Sequence, residues 1–179
     1  MSEHNVFTTL GASNHSKNER AANDLYCTHP SAAEALCEIT TLNKRIWECC
    51  DGLGHLSDVF TRRGYEVRRS DLLTRGRDIE QIDFLAYDGK WDYDIVTNPP
   101  YKHAVAFVRK ALDVVQDGAK VCMFLRTLFL EGKERGELFK ISPPRYVFVS
   151  SSRIQCATNG IFIGGGSAVL FVVHMGERF

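Results

Sequence analysis

The chain has 179 residues, 22 basic and 22 acidic side chains and 44% hydrophobic residues, which suits one globular domain and leaves too little chain for two comfortable ones. Its longest unbroken apolar runs, Val121–Leu125 and Ala168–Val173, fall far short of the ~20 residues a spanning helix requires, which argues against a membrane protein. A formal charge of zero gives no support to a protein that grips duplex nucleic acid through phosphate neutralisation alone. Met1–Ala22 lacks the apolar stretch of a secretory signal, and the six cysteines show no CxxC or His-containing metal spacing. Buried thiols and a cytoplasmic location are the expectation.

Residues 1–22 are polar without an apolar period and are expected to form a flexible tail, followed by one domain over 23–179. Pro30 at a first helical position and Ser31-x-x-Glu34, in the pattern of a capping box, open a helix bearing Ala32, Leu36 and Ile39. Arg45–Cys50 has the pattern of a short buried strand, broken by Asp51-Gly52-Leu53-Gly54. Leu56, Val59 and Phe60 then mark a helix over His55–Arg63, stopped by Gly64.

Tyr65–Ser70 is a weaker strand ending in Asp71, and Asp94–Thr97 is a clear one, closed by Asn98-Pro99-Pro100-Tyr101 because paired prolines cannot continue a sheet. Ala104, Phe107, Val108, Ala111, Leu112 and Val115 repeat with the helical period, and Gly118 ends that helix. Val121–Leu125, Tyr146–Ser150 and Ala168–Val173 complete the strands, with Gly164–Gly166 before the last. Alternating apolar strands and amphipathic helices require a mainly parallel sheet covered on both faces, and ligands of such sheets sit beyond the carboxyl ends of the strands. Asp51–Gly54, Asp71 and Asn98–Tyr101 all fall there.

Gly52-Leu53-Gly54 allows close backbone approach by a ligand, although a plain tight turn has the same pattern and Ser57 stands where a dinucleotide fingerprint has its third glycine. Glu48 and Asp51 beside it repel a pyrophosphate and suit a cationic or zwitterionic ligand. Asp71 is placed to accept both hydroxyls of a ribose, or to cap a turn. Asn98-Pro99-Pro100-Tyr101 is more specific. The Asn98 side-chain oxygen and the Pro99 carbonyl can accept both hydrogens of a planar amino group, drawing its lone pair out of conjugation, while Tyr101 offers a ring to stack on a planar substrate. His55, Arg126, Lys133, Arg135, Arg153 and Gln155 are lesser candidates that ordinary surface roles also explain, and Trp47 and Trp91 are packing residues.

With these motifs in place, residues 23–173 resemble the class I S-adenosylmethionine-dependent methyltransferases, and within them the Asn-Pro-Pro-Tyr amino-methyltransferases in a small phage-like form. The resemblance implies a Rossmann-like, doubly wound α/β sheet of seven mostly parallel strands, order 3-2-1-4-5-7-6, with the last pair antiparallel. It implies S-adenosylmethionine as cofactor, with Tyr26 and Thr28 bordering its methionine moiety, and Glu48, Asp51, Gly52 and Gly54 forming the cofactor turn. Asp71 would hold the ribose, and Asp83 and Phe84 would receive the adenine. Asn98, Pro99, Pro100 and Tyr101 would be the catalytic loop, with Asn98 also bordering the cofactor. Cys27 and His29 depart from the family, which often has Thr or Pro at these positions.

The expected activity is methyl transfer to a planar exocyclic amine, foremost the amino group of adenine in DNA. RNA or a protein glutamine amide is the alternative acceptor, and a subunit that binds cofactor or nucleic acid without turnover is a further reading. No stretch is long enough for a target-recognition domain, which leaves room for a separate specificity subunit. Nucleic acid is the expected partner, DNA ahead of RNA.

Overall fold

The computed structural model describes residues 26–151, 154, 156–158 and 169–175. In chain order the elements are β1 (Tyr26–Thr28), α1 (Ser31–Ile39), β2 (Arg45–Glu48), α2 (His55–Arg62), β3 (Glu66–Asp71), β4 (Glu80–Gln81), β5 (Asp94–Thr97), α3 (Ala104–Val114), β6 (Lys120–Arg126), α4 (Lys133–Ile141), β7 (Tyr146–Val149), β8 (Cys156–Thr158) and β9 (Val169–Met175). The tail, Arg153, Gln155 and Gly164–Gly166 lie outside the described residues. No described helix is long and apolar enough to cross a membrane.

The main sheet runs β4-β3-β2-β5-β6-β9-β7, parallel from β4 to β6, with β9 antiparallel to both of its neighbours. Counted along the main-sheet strands, this is the expected order 3-2-1-4-5-7-6. β1 and β8 pair antiparallel in a separate two-stranded sheet that the sequence pattern does not predict.

Side chains alternate across a strand, so a strand buried on both faces must be apolar at every position. The middle positions of β2, β5 and β6 meet that demand, and their polar residues stand at the strand ends. Trp47, Ile95, Val121, Met123 and Leu125 pack with Phe107, Val108 and Ala111 of α3 on one face. Ile46, Val96, Cys122 and Phe124 pack on the other with Ala32, Ala33 and Leu36 of α1 and Leu56, Val59 and Phe60 of α2. Burial of such side chains at about 1.5–3 kcal/mol each is the main force holding the three layers together.

Two polar anchors set the sheet. Asp94, buried at the start of β5, accepts the Asn43 N–H at 2.7 Å on one oxygen and the Lys120 N–H at 2.8 Å on the other, tying together the approaches to β2 and β6. The Trp47 indole donates to the Ser70 hydroxyl at 2.8 Å, joining β2 to β3. The expected capping box at α1 does not form. Pro30 takes the N-cap position, the Ser31 hydroxyl pairs with His29 Nδ1 at 2.9 Å, and Glu34 is drawn away to Arg63 beyond α2.

Candidate cofactor and catalytic site

In this order the chain leaves β2 toward β3 and β4 and returns to the other side of β2 as β5, so β2 and β5 flank the reversal point where open sheets part to hold ligands. The glycine turn leaves β2 and the Asn-Pro-Pro-Tyr loop leaves β5 at that place. Their carboxyl ends are joined by one side chain. Glu48, the last residue of β2 and 1% exposed, accepts the Cys50 N–H at 3.0 Å and the Thr97 hydroxyl on the same carboxylate oxygen. Burial, reinforced by the nearby charges of Asp51 and Asp71, pushes its carboxyl up to about 8. Glu48 therefore lies beneath the turn and carries a proton at neutral pH.

The turn itself is acidic and shaped by glycine. Gly52 and Gly54 have φ of 56° and 84°, a left-handed backbone that other residues adopt at a cost. Asp51 is buried, accepts the Ser57 hydroxyl on Oδ1, and faces the Arg77 Nε with Oδ2 at 3.3 Å. Burial raises its carboxyl above the usual range, opposed by the Ser57 hydrogen bond and by Arg77. Burial likewise lowers the imidazole of His55, the first residue of α2.

Asp71 closes β3 as expected and reaches across to the turn. Oδ2 accepts the Gly52 N–H at 2.9 Å, while Oδ1 accepts the Leu73 N–H at 3.0 Å and the Arg75 guanidinium at 3.4 Å. A carboxylate has about four acceptor positions, so a further hydroxyl can still be taken on Oδ2.

On the β5 side, Asn98 donates from Nδ2 to the Thr28 hydroxyl at 2.7 Å. Thr28 ends β1, so the small sheet missed in the sequence is what brings it here. This bond holds the nitrogen end of the amide and thereby directs its oxygen end. Pro99 is buried, Pro100 and Tyr101 are partly buried, and the Arg126 guanidinium lies 4.5 Å from the Tyr101 ring centroid. Tyr26 lies in β1 beside Thr28.

Asp83 caps a single 3-10 turn by accepting the Leu85 N–H at 3.0 Å, but Phe84 is a core residue, 2% exposed. Phe107 stacks on it at 5.5 Å and Trp47 meets it edge-on at 5.2 Å, so its ring is already packed within the protein.

Four participants were not singled out from sequence. Thr97 and Ser57 are ordinary residues whose partners are set only by the fold. Arg75 and Arg77 carried a visible signal, two cations within six residues of Asp71, but nothing local said that they turn back onto the glycine loop.

No protein-family model matches the chain, and no curated protein matches it in sequence. Solved structures do resemble it. TrmN from Thermus thermophilus aligns at 18% identity and a TM-score of 0.56 over 82% of this chain and 48% of its own. An S-adenosylmethionine-dependent O-methyltransferase from Thermotoga maritima aligns at 14% identity and 0.57 over 84% and 66%, and the tRNA (m1A58) methyltransferase TrmI from Aquifex aeolicus at 15% and 0.54 over 82% and 69%. The chain has their fold. It spans about half the length of TrmN and about two thirds of the other two.

Proposed function

We propose that the protein is an S-adenosylmethionine-dependent N-methyltransferase whose acceptor is a planar exocyclic amine, the amino group of adenine in DNA. The observation that carries this reading is the Asn98–Thr28 hydrogen bond, which orients the amide oxygen of an Asn-Pro-Pro-Tyr loop next to an acidic glycine turn. A loop that only ended a strand would need no such clamp.

The turn fits the cofactor. Its carboxylates and the Leu53 carbonyl are acceptors, Gly52 and Gly54 present no β-carbon, and the group resting on it is a planar cation, the guanidinium of Arg77. Asp51 would take the ammonium of the methionine moiety and Asp71 the ribose. When bound, the cofactor supplies a methyl group on an electrophilic sulfonium centre.

The chain's own residues supply alignment and acceptors. Asn98 Oδ1 and the Pro99 carbonyl accept the two hydrogens of the amine and free its lone pair, and Tyr101 stacks on the ring that carries it. Oxygen acceptors also stabilise the positive charge that grows on nitrogen until its proton leaves. Fold likeness to a tRNA methyltransferase supports nucleic acid as the acceptor class.

Transfer of labelled methyl groups to separate pools of DNA, RNA and protein, with Asn98→Ala as control, tests the proposal. Label is expected in DNA and is expected to vanish in the variant. Equal labelling by both proteins overturns the role of the loop; label confined to RNA overturns the DNA assignment and keeps the amine chemistry.

A further inference from the structure

We propose that Arg77 is a cation of the glycine turn that is exchanged for the cationic end of the cofactor on binding; this rests on the cofactor reading above. The guanidinium lies against Gly54 so closely that a β-carbon at that residue would overlap its Cζ and both terminal nitrogens. The surface that glycine opens to a ligand is thus filled by a side chain of the same protein. It donates to the Leu53 carbonyl and stands 3.3 Å from Asp51 Oδ2 and 3.5 Å from Asp58 Oδ1. A carboxylate and a backbone carbonyl are also the acceptors that an ammonium group would seek there.

The surrounding charges favour exchange over permanent closure. Asp58 has a second cation, since Arg69 stands 3.1 Å from its Oδ1. When Arg77 leaves, Asp58 stays paired, and the carboxylate released is that of Asp51, in the turn itself. The Arg77 side chain is 23% exposed, so it reaches solvent at its outer edge and can swing out by rotation of its own bonds. The segment that carries it is anchored separately: Arg75 pairs with Asp71, and the Arg77 N–H donates to the Thr74 carbonyl at 2.9 Å. Release of the side chain therefore leaves the Asp71 contacts intact.

A bound cation must be displaced before another takes its place, and the ligand's apparent affinity is lowered by the fraction of protein in the closed state. Arg77→Gln removes the charge and keeps a polar side chain. Calorimetric titration with S-adenosylmethionine at low ionic strength is expected to show binding about fivefold tighter in Arg77→Gln than in the wild type, the upper end of what one competing ion pair that reaches solvent is worth. Arg69→Gln removes an equal charge from the same neighbourhood without touching the turn. It is expected to bind within about threefold of the wild type, which separates occupancy from general field effects.

A second readout needs no ligand. Amide hydrogen exchange over residues 52–54 is expected to quicken in Arg77→Gln and to stay at the wild-type rate in Arg69→Gln. Arg77→Lys keeps charge without the planar fork and serves if the glutamine variant folds poorly; it is expected to fall between the other two. Equal or weaker binding by Arg77→Gln, with exchange unchanged, overturns the proposal alone. If neither protein binds S-adenosylmethionine, the cofactor reading falls and takes this proposal with it.

Discussion

Glu48 makes a pH-dependent prediction that can be worked from its surroundings. Its carboxyl is buried between two strand ends and pushed up to about 8, against an ordinary value of 4.5 that it regains on unfolding. Between those two values the native state holds a proton that the unfolded chain has released. Stability therefore falls as pH rises through that window, by about 1.4 kcal/mol per unit from this group, and at pH 7 the burden is about 3 kcal/mol. Glu48→Gln keeps an oxygen to accept from Cys50 and Thr97 and has no proton to lose. Urea unfolding of both proteins at pH 5, 6, 7, 8 and 8.5 reads the difference directly, with other titrating groups cancelling between them. The advantage of glutamine is expected to grow by about 1.4 kcal/mol per unit and to level off above pH 8. Parallel stability curves across that range would refute the argument, since they would mean that Glu48 ionises in the folded protein as it does in the unfolded one.

Two further substitutions examine the site and the frame. Thr28→Val removes the acceptor of Asn98 Nδ2 while keeping shape, and it is expected to lower kcat about 10–100-fold through misorientation of the amide, with cofactor Kd within about threefold. An unchanged kcat would show that the clamp does not matter to turnover. Asp94→Asn sets an amide NH2 against one of the two backbone donors that Asp94 now accepts, and a loss of about 2–4 kcal/mol is expected in urea unfolding. A change below about 1 kcal/mol would mean that neighbouring backbone relaxes to compensate.

The parts of this fold that were legible are those with dense local signals. β5 stands where Asp-Ile-Val-Thr and the two prolines place it, and α3 follows the 3.6-residue period of its apolar face almost to its end. The strand order came from the family likeness of the motifs, since no local pattern reports which strands are neighbours. β4 is two exposed polar residues, and β1 and β8 are three residues each, paired across most of the chain; neither carries a periodicity to read. α4 buries only Leu138 within the helix and so lacks the apolar stripe that would announce it. At the site, Asp71, Asn98 and the glycine turn were visible because their residue types are unusual at strand ends. Glu48, expected in the cofactor turn, also accepts the Thr97 hydroxyl of the adjacent strand, a partner that only the fold supplies. Phe84, expected to receive the adenine, packs on Trp47 and Phe107, contacts that no local pattern reports.

A formal charge of zero takes on a local meaning at the turn. Glu48, Asp51, Asp58 and Asp71 gather around one strand reversal, an arrangement that like-charge repulsion would oppose if all four were bare. The protein offsets each in a different way. Glu48 keeps its proton, Asp58 shares Arg69, Asp71 holds Arg75 and two backbone N–H groups, and Asp51 depends on Ser57 and Arg77. Of the three cations, Arg77 alone rests on the glycine surface, and its departure leaves Asp58 paired with Arg69 while it uncovers Asp51. A cationic ligand arriving at Asp51 restores the balance that Arg77 gives up. The same acidic cluster that makes the turn attractive to such a ligand thus requires a resident cation in its absence, and an arginine close to Asp71 in sequence is well placed to be that cation.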